Sequence, residues 1–75
     1  MDGERAREAV AARYEQVAAE LERAVQHLRT TARHFRDREV PRAAAHAFAA
    51  QGHMRAAQGQ LDDLAILHAS KSHAD

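Results

Sequence analysis

This sequence predicts an all-α fold, an antiparallel two-helix hairpin over about residues 3–38 and 41–69, that dimerises into a four-helix bundle. Three observations predict it. Ala, Arg, Glu, Gln and Leu dominate, with Ala alone about a quarter of the chain, and all are good helix formers. β-Branched residues are few and no apolar/polar alternation marks a strand. The single proline, Pro41, lies near the middle, and one heptad pattern runs on each side of it.

The first helix starts near Asp2, a residue suited to capping, with Glu4 and Glu8 placed favourably at its positive end. It should run to about residue 38. Val40 precedes Pro41 and is pushed out of the α region, so the bend belongs there. Pro41 suits the first turn of the second helix, where a missing N–H costs nothing. That helix should reach about Ala69, with residues 70–75 a frayed tail. The connection is short, so the helices should lie antiparallel.

The heptad places Tyr14, Leu21, Leu28 and Phe35 at a, and Val10, Val17, Ala24 and Thr31 at d, in the first helix. In the second, Ala47, Met54 and Leu61 take a, while Ala43, Ala50, Ala57 and Leu64 take d. Pairing a with d′ brings Phe35 to Ala43, Leu28 to Ala50, Tyr14 to Leu64 and Leu21 to Ala57. Large-against-small layers of this kind let helices approach closely.

A hairpin of 75 residues without cysteine buries too little apolar surface to stand comfortably alone, so at least a homodimer is expected. Ala45, Ala49, Gly52, Ala56 and Gly59 form a small-residue stripe on the back of the second helix. Each glycine there costs roughly 1 kcal/mol against alanine, a cost that close backbone approach to another chain would offset. This stripe, with Phe48 beside it, is the expected dimer interface, the second helices crossing antiparallel about Gly52. On this arrangement the second helix is central and the first lies outside.

Leu28-x2-Thr31-Ala32-x2-Phe35 followed by Ala44-x3-Phe48 resembles the tetratricopeptide pattern over about 20 residues. The Trp and Gly of that pattern are missing and no second copy follows. The resemblance implies shared hairpin packing and a protein-binding role, and the chain is not assigned to that family.

Composition narrows the function classes. Eleven basic residues balance eleven acidic ones, which with the few aromatics argues against a nucleic-acid partner. No apolar run approaches the roughly 20 residues that span a bilayer, so no membrane partner is expected. The first residues are charged and lack an apolar core, unlike a signal peptide. With no cysteine, a cytoplasmic location is expected. The charge is uneven, however. Residues 29–55 carry six Arg against Asp37 and Glu39, so Arg33, Arg36, Arg38 and Arg42 make the bend a candidate anion, RNA or acidic-partner contact.

One constellation carries chemistry. His27 and His53 are equidistant from residue 40, and so are His34 and His46. All four fall at g, and in an antiparallel pair g faces g′, so the core register itself predicts a two-rung histidine ladder. Glu20 and Gln60 make the next rung. Imidazole suits Zn, Cu, Ni or haem iron, so a metal- or haem-binding bundle is the alternative function. A pH sensor is a further reading, since clustered imidazoles repel one another when protonated. Catalysis is not expected: Ser70 and Ser72 fall in the tail, there is no Gly-rich phosphate loop, and no His-Glu-x-x-His motif appears. The leading reading is a non-catalytic, homodimeric protein-interaction or regulatory module without a cofactor, its partner a second copy or another protein.

Overall fold

A computed structural model describes the backbone of residues 2–72 and the side chains of residues 3–70. Two helices, α1 (Asp2–Arg36) and α2 (Val40–Ser72), form a hairpin, with no strand among the described residues. Helix α1 ends two residues earlier than expected. Helix α2 begins one residue earlier and runs three residues further, so Ser70–Ser72 are helical rather than frayed. The expected Asp2 cap and residues 73–75 lie outside what is described.

The bend explains the shifted boundaries. Arg38 adopts φ 62°, the left-handed conformation that closes a helix. Glu39 N–H donates to His34 O at 2.8 Å and Arg38 N–H to Phe35 O at 3.1 Å, the paired bonds of a Schellman motif. Glu39 then serves as the cap of α2, its carbonyl accepting from Ala43 N–H at 3.0 Å. That bond draws Val40 into the first helical turn despite Pro41 after it. Pro41 lies where helical N–H groups have no partner anyway.

Side by side, the helices give a slab of 56 × 22 × 12 Å, two helices wide and one thick. The seam differs from the expected one. Among the described residues the buried apolar ones are Val17, Ala24, Ala43, Ala50, Ala57 and Leu64, and every one is a d position. Leu61 packs partly buried against Val17, Ala57 and Leu64, but the other large a residues do not sit over the alanines as a core. Tyr14, Leu21, Leu28, Phe35 and Met54, with Val25 at the neighbouring e position, are each 42–52 % exposed. The reason is the size of the d residues: four alanines let the backbones close until d meets d′, and the flanking positions are then squeezed outward. On a helix the g and a positions lie on either side of d. One broad face of the slab therefore carries g and g′, the histidines, and the opposite face carries a and a′, the large apolar residues.

Candidate functional site

The histidine face is built from α1 residues Glu20, His27 and His34, α2 residues His46 and His53, and Glu39 in the bend. The two expected rungs are present. The His27 and His53 rings lie 5.3 Å apart, 16° from parallel, and His34 and His46 lie 5.3 Å apart, 24° from parallel. A third contact joins the rungs. His27 and His46 are 5.1 Å apart between centroids, with their Nδ1 atoms at 2.9 Å. Side chains in a two-helix groove interdigitate, so each inner ring touches two partners. The ladder is thus one continuous column, in the order His34, His46, His27, His53.

A carboxylate closes each end. His53 Nδ1 lies 2.8 Å from Glu20 Oε2, a side-chain hydrogen bond that joins the two helices. At the bend, His34 Nδ1 lies 2.9 Å from Glu39 Oε2, within ion-pair reach but out of line for a hydrogen bond. Glu20 also accepts from Arg23 at 3.1 Å, and Glu39 from Arg42 at 3.4 Å. The expected Glu20–Gln60 rung does not form. Glu20 turns to His53, and Gln60 Oε1 is buried without a partner. A carboxylate gains more from an imidazole than from an amide because the bond is charge-assisted once the ring is protonated. Beneath the column, Thr31 Oγ1 donates to His27 O at 2.8 Å and sits 3.4 Å from Ala43 O.

His46, at the centre of the column, has its pKa held below the ordinary 6.5. Burial is the largest cause, followed by the charges that His27, His34 and Arg33 would place beside it. The stacked rungs present ring faces to each other, whereas a shared ion needs nitrogen lone pairs that converge. Among the described residues no group of three or more His, Asp and Glu side chains is disposed to hold one metal ion.

The other expected site residues lie elsewhere. Ala45, Gly52, Ala56 and Gly59 are exposed on the outer side of α2, Ala49 is half-buried, and Phe48 is 78 % exposed at the edge. A Cβ added at Gly52 or Gly59 would meet nothing within 4 Å. Arg33, Arg36, Arg38 and Arg42 are exposed around the bend, with Arg42 on Glu39. On the apolar face, Tyr14 OH lies 3.1 Å from His68 Nε2, and the two rings stack at 6.3 Å across the helices. Clefts along and between the helices are open to solvent rather than enclosed. No described helix is long and apolar enough to cross a membrane.

Sequence reasoning missed Glu39 as a member of the column. It lies in the bend, where a heptad assigns no position. No family model, curated protein or solved structure matches the chain.

Proposed function

We propose that this protein is a non-catalytic interaction module whose working unit is a homodimeric four-helix bundle, two hairpins joined through their apolar broad faces. One observation carries the reading. The hairpin leaves Tyr14, Leu21, Val25, Leu28, Phe35 and Met54 half-exposed on or beside one face while burying, among the described residues, only six apolar ones, four of them alanine. Its surface is 5942 Å², whereas a compact monomer of 8.3 kDa exposes about 4,600 Å². The excess, about 1,300 Å² per chain, is the area that each partner in an obligate dimer commonly hides. Joining the a faces completes an a/d/e core of the usual bundle kind and leaves the histidine columns facing outward.

This seam differs from the small-residue stripe of α2 that the sequence suggests. Large side chains gain far more from burial than a row of Ala and Gly does, at about 25 cal/mol per Å². The stripe and Phe48 then remain on the outside of the bundle, available to another protein.

Sedimentation equilibrium distinguishes the seams. The natural chain should weigh twice 8.3 kDa. Leu28→Glu, which puts a charge in the centre of the apolar face, should give monomer and lost helicity, while Gly52→Leu should remain dimeric. A monomeric natural chain would overturn the dimer. A Gly52→Leu monomer beside a Leu28→Glu dimer would move the seam to the stripe.

A further inference from the structure

The two carboxylates make the ends of the histidine column unlike its middle. A proton taken up by His53 or His34 finds Glu20 or Glu39 beside it. The inner pair has no such neighbour. Across the 2.9 Å contact, one Nδ1 must carry the hydrogen and the other must offer its lone pair. One added proton leaves that arrangement usable, because it goes to an outward nitrogen or is shared. A second makes both Nδ1 atoms donors aimed at each other and places two positive rings in contact.

The surrounding charges do not relieve this. Arg33 and His34 stand near His46 and His53 stacks on His27, with Glu20 and Arg23 beyond His53 and Glu39 and Arg42 beyond His34. Glu20 is divided between Arg23 and His53, and Glu39 between Arg42 and His34. Among the described residues no carboxylate stands within ion-pair distance of His27 or His46.

We propose that the histidine column is an acid-sensitive latch on the hairpin, closed while the His27–His46 contact holds at most one extra proton and loosened when it must hold two. The contact crosses from α1 to α2 in the half of the hairpin nearest the bend, so that half is what loosens. The depressed pKa of His46 has the matching sign. The folded chain refuses a proton that the unfolded chain accepts near 6.5, so stability is complete above that value and declines as pH falls through it.

The test is thermal unfolding of the full chain by circular dichroism from about pH 8 to about pH 5, with imidazole titration followed by NMR. Over this range histidine changes charge while ordinary carboxylates stay ionised. The melting midpoint should fall by about 5 °C or more towards the acid end. His27→Gln/His46→Gln should lose at least half of that dependence, and Glu20→Gln/Glu39→Gln should deepen it. In the natural chain His46 should titrate below the ordinary 6.5. A midpoint that is flat or rises with acid, an unchanged slope in the His27/His46 variant, or a His46 ring that titrates at or above the ordinary 6.5 would overturn the latch. Should the His27/His46 variant fail to fold, the titration of His46 in the natural chain decides.

Discussion

Arg38 holds the bend in a conformation that suits glycine. At φ 62° its Cβ crowds the backbone, a cost of roughly 1 kcal/mol or more, yet the Schellman bonds of Glu39 and Arg38 fix it there. Arg38→Gly should therefore raise stability by about 0.5–1 kcal/mol, read as a higher midpoint in chemical denaturation; an unchanged or lower midpoint would show that the Arg38 side chain contributes more than its backbone costs. The strained residue was not legible in the sequence, because no Gly or Asn marks the end of α1 and the proline drew attention two residues too far along. The histidine pairs were legible, since their positions follow from heptad spacing alone. Their joining into one column was not. It depends on how rings interdigitate across the groove, and a pairing rule that gives each residue one partner cannot show it. Glu39 was hidden for a different reason: it reaches His34 from the bend, where no periodicity applies.

At the scale of the element, both helices and the antiparallel hairpin were readable, because composition, heptad and proline agree on them. The orientation of the seam was not. An a/d pattern fixes which stripe faces a partner but leaves the rotation within that stripe to the sizes of the side chains. Here the alanines at d decide it, and Ala43, Ala50 and Ala57 are almost wholly inaccessible. Two substitutions on α2 separate the inner seam from the outer stripe. Ala50→Leu forces extra volume between closely approached helices and should destabilise the hairpin by about 1–3 kcal/mol. Gly52→Ala, only two residues away, meets open space and restricts the unfolded chain, so it should stabilise by up to about 1 kcal/mol. Denaturant titration of both variants checks the pair. A destabilising Gly52→Ala would mean that another backbone lies against the stripe, and the α2–α2 seam would then replace the a-face seam proposed above.

The whole molecule is too thin for its length. Its radius of gyration is 17.3 Å, where a compact chain of this size reaches about 11 Å. A slab one helix thick has an inside only along a line, the d–d′ seam, and every other residue faces outward on at least one side. Nothing in the d seam can compensate, since alanine has little apolar area to bury and Leu64 is the single large side chain fully enclosed among the described residues. Placing a second hairpin on the apolar face turns that line into a volume, so folding and association become one process. Such coupling has a signature that a folded monomer cannot imitate. Mass action favours the dimer, so the melting midpoint should rise by several degrees when the protein concentration is raised about a hundredfold, with helicity and mass falling together on dilution. Charges at Leu21 and Leu28 should abolish that dependence together with most of the helicity, because the separated hairpins lose the surface that holds them. A midpoint independent of concentration, in a chain that sediments as monomer throughout, would show that the d seam suffices and that the apolar face is left for a different partner.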